Sequence, residues 1–148
     1  MIAINTLMLL ASTLITTPLA AMKARDGDPT AFTETCSGLR LMWPGEANTV
    51  LEGNCSQTGT GAKPCTYVFL DSCYAVDDRG QITPRMWGGG FINKCNDCEL
   101  TDGSSCLSCN CTNKEGKWAI ARTDLTQTVR NDDGYLWCLD VKGNTCPQ

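Results

Sequence analysis

Phe32-Thr-Glu-Thr-Cys36-Ser-Gly-Leu39-Arg-Leu41 recurs later in the chain as Phe91-Ile-Asn-Lys-Cys95-Asn-Asp-Cys98-Glu-Leu100. Both stretches read Phe-x-x-x-Cys-x-x-apolar-x-Leu. Three further blocks follow in the same order. Leu51-Glu-Gly-Asn54-Cys55-Ser56 matches Leu107-Ser-Cys-Asn110-Cys111-Thr112. Thr66-Tyr67-Val-Phe69 is aligned with Lys117-Trp118-Ala-Ile120, and Asp77-Asp-Arg-Gly80-Gln-Ile82 with Asn131-Asp-Asp-Gly134-Tyr-Leu136. Four ordered matches define an internal repeat. Repeat one spans 31–88 and repeat two 89–138, within one domain over 31–138 and a tail over 139–148.

Each repeat reads as strands. Leu39 and Leu41 share a face of an extended segment, as do Tyr67 with Phe69 and Trp118 with Ile120. Turn pairs separate them: Pro44-Gly45, Asp102-Gly103 and Glu115-Gly116. No stretch carries a long helical period, and Thr123 to Arg130 holds a single helical turn at most. The expectation is a mainly β domain of two tandem pseudo-symmetric halves, each too short to bury a core without the other.

The 148 residues include 11 cysteines and no histidine. The missing imidazole excludes the usual protease dyads and histidine-ligated zinc. With 42% apolar residues the chain can build a core, and a net charge of −4 argues against a binder of nucleic-acid phosphates. Ile2 to Ile15 is largely apolar and is followed by Leu19-Ala20-Ala21, so residues 1–21 read as a signal peptide and 22–30 as a flexible lead-in. Every cysteine lies after that point, which places a disulfide-stapled fold in an oxidising, extracellular compartment.

The repeat constrains the bridges. Cys36 with Cys55, and Cys95 with Cys111, close equivalent hairpins. Cys98 replaces Leu39 and Cys109 replaces Gly53, so those two form an added bridge. Proximity in sequence gives Cys65 with Cys73 and Cys138 with Cys146, leaving Cys106 as the odd thiol. Asn54-Cys-Ser and Asn110-Cys-Thr are N-glycosylation sequons at matched positions.

This ordered set, present twice, resembles the cyanovirin-N homology family of small two-repeat lectins. Asp124-Leu125 with Gly134 has the family spacing, and Leu70 with Gly80 is one residue longer. The resemblance implies a compact pseudo-symmetric β fold and shallow sites for mannose-rich oligosaccharides at its two ends. It carries the first site onto Glu34 and Thr35, Ser56, Gln57 and Thr58, and Asn131, Asp132 and Asp133. The second falls on Asp77, Asp78 and Arg79, Asn93 and Lys94, and Thr112, Asn113 and Lys114. Carboxylate and amide oxygens accept from vicinal hydroxyls while ammonium, guanidinium and backbone N–H groups donate, so no cofactor, metal or catalytic base is needed. Alanine at Asn131 and Asp133 is expected to lower sugar binding without loss of fold. Arg79 stands where the family often has a short polar residue, and the loop 58–64 is longer than usual.

Other readings are weaker. Only residues 99–105 separate Cys95-x-x-Cys98 from Cys106-x-x-Cys109, too few for a zinc ribbon, and neither pair opens a helix as a redox motif does. The Asp/Asn-Gly turns lack the closing Glu of a calcium loop. Nothing sets two carboxylates across a cleft for glycoside hydrolysis, so the chain reads as no enzyme. Of Trp43, Trp87, Trp137 and Tyr135, most are expected in the core or an interface. Trp87-Gly-Gly-Gly90 reads as a hinge that permits a swapped dimer, with the odd cysteine a second route to one. The competing function is a secreted cysteine-rich effector or interaction protein on the same fold without sugar binding.

Overall fold

The computed structural model describes residues 31–46 and 48–147. The signal peptide and lead-in expected over 1–30 lie outside the described residues. Each repeat opens with one helical turn, α1 (Phe32–Thr35) and α2 (Phe91–Lys94), whose Phe32 and Phe91 are fully buried. A three-stranded antiparallel unit follows each. In repeat one it is β1 (Cys36–Met42), β2 (Val50–Cys55) and β3 (Cys65–Phe69), extended by the tail strand β12 (Asn144–Thr145). In repeat two it is β6 (Cys95–Thr101), β7 (Cys106–Thr112) and β8 (Trp118–Asp124). Each unit runs into a 3-10 turn, at Leu70–Ser72 and Leu125–Gln127, and then a hairpin. Those hairpins are β4 (Tyr74–Val76) with β5 (Ile82–Pro84), and β9 (Val129–Asp132) with β10 (Tyr135–Cys138). A short β11 (Val141–Lys142) pairs with β10.

The fold is mainly β, with two pseudo-symmetric halves that exchange support. The β9–β10 hairpin of repeat two packs on β2, β3 and α1 of repeat one, while β4 and β5 pack on α2 and β8. One apolar cluster joins Phe32, Leu51, Val68 and Leu70 to Phe91, Leu107, Leu125 and Leu136. Neither half could bury these side chains by itself, so the two should fold together.

The strand register corrects the third repeat block. Asn54 lies opposite Cys65, and its equivalent Asn110 lies opposite Ile120. Cys65 therefore corresponds to Ile120, and Thr66–Phe69 to Ala121–Asp124, four residues on from the sequence alignment. The misalignment matched one hydrophobic alternation to another. In repeat two the ladder continues to Thr112 opposite Trp118, and this extension presents Trp118 and Ile120 outward, 52% and 61% exposed.

Five disulfides hold the fold. Cys36–Cys55, Cys95–Cys111 and Cys98–Cys109 close the hairpins. A Cβ on Gly53 would lie 2.8 Å from the Leu39 side chain. Repeat one thus fills with leucine the space that repeat two spans with the Cys98–Cys109 bridge. The local pairings of Cys65 with Cys73 and Cys138 with Cys146 are wrong. Cys65 bonds to Cys146, tying the tail to β3, and Cys73 bonds to Cys138, joining the repeats. Proximity in sequence failed because β3 meets the tail, and the 3-10 turn meets β10, only through the crossing of the halves. Cys106 is the free thiol. Partial burial, and then Asp102, push its pKa up, which disfavours the reactive thiolate.

The expected hinge is anchored. Gly88 N donates to Ser72 O at 3.2 Å and Gly89 N to Asp71 O at 2.9 Å. A Cβ on Gly88 would sit 2.4 Å from the Tyr74 carbonyl oxygen, so only glycine permits this approach. Of the two placements expected for the aromatics, core or interface, none of the four is in the core. Trp43 and Trp87 are 52% and 77% exposed, and Trp137 and Tyr135 are half-buried under Arg130 and Lys142.

Tyr74 is fully buried, with its hydroxyl hydrogen-bonded to that of Thr128 across the repeats. Burial pushes its pKa up from 10.0 to about 12, against a smaller lowering by Thr128. A raised acid favours the folded state below the unfolded pKa, and that advantage is lost between pH 10 and about 12. The expected loss is about 3 kcal/mol. Denaturation at stepped alkaline pH checks it in a Cys106→Ser background, which prevents thiol exchange. Tyr74→Phe should flatten the slope.

Candidate functional site

At one end, the Asn/Asp turn of repeat two meets the chain after β2. Asn131 is only 6% exposed. Its Nδ2 donates to Ser56 O at 3.0 Å, and its Oδ1 accepts from Gly134 N at 2.9 Å. Asp133 Oδ1 accepts from Thr58 N at 2.9 Å. Gly134 has φ +85, and a Cβ there would lie 2.5 Å from Gln57 Cγ. Ser56 N in turn donates to Thr35 O at 2.9 Å, at the end of α1. The structure thus brings together Thr35, Ser56, Gln57, Thr58, Asn131 and Asp133, with exposed Glu34 and Asp132 on the adjoining backbone.

The opposite end repeats the arrangement with the halves exchanged. Lys114 N donates to Asp78 O at 3.1 Å, and Gly80 packs on Asn113, its Cβ position 3.3 Å from the Asn113 nitrogen. Asn113 Oδ1 folds its own turn, accepting from Glu115 N and Lys117 N at 2.9 and 3.0 Å. Asn93 and Lys94 precede Cys95, which is bonded to Cys111 just before Thr112, so they share that end of the sheet. No direct bond joins Asn93 or Lys94 to the Asp77–Arg79 turn among the described residues.

The two ends differ in what they leave free. Asp77 Oδ1 accepts from Arg79 N and Gln81 N, and its Oδ2 is held by the Arg79 guanidinium at 3.2 Å. The Gln81 amide, then Arg79, hold this carboxyl below its usual range. Asp77 and Arg79 thus satisfy each other, whereas Asp132 at the other end is exposed with no partner among the described residues. Asn131 is a buried clamp between the repeats, so alanine there disturbs the fold and does not report on sugar contact alone.

Residues 32–137 match the model of the CVNH domain family. The chain belongs to this family. Among solved structures it is similar to GzCVNH of Gibberella zeae, at 23% identity and a TM-score of 0.60, covering 73% of this chain and 96% of that one. Microvirin in complex with mannobiose is 24% identical with a TM-score of 0.59, covering 74% and 98%. A MoCVNH3 variant in complex with (N-GlcNAc)4 is 15% identical with a TM-score of 0.62, covering 74% and 97%. No curated protein matches the sequence. At these identities the likeness concerns the fold. In this CVNH chain the residues that sequence reasoning missed lie elsewhere, on the outer face of the β1–β2–β3 sheet. Their signal was present, since Tyr67 and Phe69 alternate on one face opposite Glu52 and Val50.

Proposed function

We propose that this CVNH protein is a secreted, non-catalytic lectin for mannose-type oligosaccharides. The observation that carries the reading is the assembly of the first end from three chain segments and of the second from two, joined across the repeats by Asn131–Ser56, Asp133–Thr58 and Lys114–Asp78, with Ser56 bonded on to Thr35. Pre-set donors and acceptors on a rigid scaffold suit hydroxyl recognition at low ordering cost. Microvirin, of the same fold, is seen with mannobiose. Asp132, Gln57 and Glu34 are the groups left to read sugar at the first end. The second end, with Arg79 folded onto Asp77, is the weaker. No helix among the described residues is long and apolar enough to cross a membrane.

A glycan array on the oxidised protein tests the proposal. Mannosides should be retained, and Asp132→Ala should weaken them about tenfold. A folded protein that binds no glycan would overturn the reading in favour of a protein-binding effector, for which the exposed Trp118 and Ile120 on the edge strand β8 supply a surface. Asn54 is exposed and Asn110 half-buried, beside inward Cys55 and Cys111. Both sequons are proposed as glycosylated when the host modifies Asn-x-Ser/Thr, and a mass loss on deglycosidase treatment checks this.

A further inference from the structure

The outer face of the β1–β2–β3 sheet carries a cavity of about 370 Å³ that neither end site uses. Trp43, Tyr67 and Phe69 line it with Val50, and Glu46 and Glu52 stand among them. Tyr67 and Phe69 pack edge to face, 5.5 Å between centroids. Trp43 is held in a left-handed conformation, φ +52, which a bulky side chain rarely adopts. Fully buried Thr49 fixes it. The Thr49 hydroxyl is shared between the Trp43 and Glu46 carbonyls at 2.7 and 2.9 Å, and it accepts from Gly45 N at 3.1 Å.

The fold itself does not require these aromatics. The corrected register places Arg122 and Asp124 of repeat two where repeat one has Tyr67 and Phe69. The aromatic lining is therefore a property of one half alone, on a scaffold that works without it in the other.

Charge decides the occupant. Glu52 is engaged by Arg40, so its charge is matched, while Glu46 has no cationic partner among the described residues. One uncompensated carboxylate beside three aromatic side chains fits an organic monocation, attracted by ring quadrupoles and neutralised by the acid. The volume exceeds an ammonium head group and is in the range of small-ligand pockets. Exposed Asn48 and the Glu52 carboxylate add polar rim groups for hydroxyls. We infer that this groove is a third glycan site, separate from the two ends, that takes a protonated amino sugar. It extends the carbohydrate-binding reading but uses none of the same residues.

The test titrates the oxidised protein with a glucosamine tetramer at about pH 5.5, below the pKa range of such an amine, and with its N-acetylated counterpart, mannobiose and trilysine. The glucosamine tetramer should bind about tenfold tighter than the N-acetylated one, with quenching of tryptophan fluorescence. Trp43→Ala and Glu46→Gln should each weaken it about fivefold or more and leave mannobiose unchanged. Glu46 is an exposed loop residue, so that variant folds even where Trp43→Ala does not. Equal affinity for the two tetramers, or indifference to both variants, overturns the inference, and trilysine binding as tightly overturns it in favour of a basic peptide. Glucosamine binding without mannobiose binding would sink the end sites and leave the groove standing.

Discussion

Replacing Cys73 and Cys138 together by alanine will lower the unfolding free energy by about 3 kcal/mol. Both sulfurs are fully buried, and they join the turn after β3 in repeat one to β10 in repeat two. The separation in sequence is 65, for which the chain-entropy model gives about 4 kcal/mol in an otherwise open chain. The Cys65–Cys146 bridge encloses it, however. With that outer bridge intact, the unfolded loop closed by Cys73–Cys138 consists of two short arms of about eight residues each, which lowers the figure to about 3 kcal/mol. Against a usual total of roughly 5–15 kcal/mol this is a large fraction. Guanidinium denaturation of the double alanine variant measures it. The control is Cys98→Ala with Cys109→Ala, whose loop nests inside the Cys95–Cys111 hairpin and closes two arms of only about five residues in all. Its loss should be the smaller, about 2 kcal/mol. Equal losses in the two variants would refute the argument that the crossing bridge holds the halves together.

What was legible in the sequence divides along the same line. The hairpins were, because a repeated Cys at a repeated strand position must face the same partner. Cys36, Cys55, Cys95 and Cys111 each lie at the end of a β ladder, in register with one another. The 3-10 turns were half legible, as one short helical turn near Thr123 to Arg130. Long-range pairing was not. Nothing local distinguishes Cys138 as the partner of Cys73, since that contact exists only once the β9–β10 hairpin has crossed onto repeat one. The same crossing decides the end sites. Their segments were named from resemblance, yet which side chains clamp and which stay free depends on hydrogen bonds such as Asn131 to Ser56. The aromatic groove was hidden by the four-residue misalignment, which equated Tyr67 and Phe69 with Trp118 and Ile120 and so made them look like a feature common to both halves.

Asn131→Ala will therefore behave unlike its neighbours. Its amide spans the junction of the repeats, donating to Ser56 O and accepting from Gly134 N in a position that is 6% exposed. Alanine leaves a buried amide and a carbonyl without partners, and each such orphan costs about 1–3 kcal/mol. The expected loss of stability is about 2–3 kcal/mol, and the segment 56–58 loses one of the two clamps that hold it against the turn. Sugar affinity at that end should fall with it, although Asn131 itself is too enclosed to meet a ligand. Asp132→Ala is the contrast, since the side chain is exposed and supports nothing. Its stability should change by less than about 0.5 kcal/mol. Denaturation curves and mannobiose titration on both variants separate the roles: Asn131→Ala loses stability and binding together, Asp132→Ala binding alone. If Asn131→Ala kept full stability while losing the sugar, the amide would have to face the ligand, and the clamp assigned to it here would be wrong.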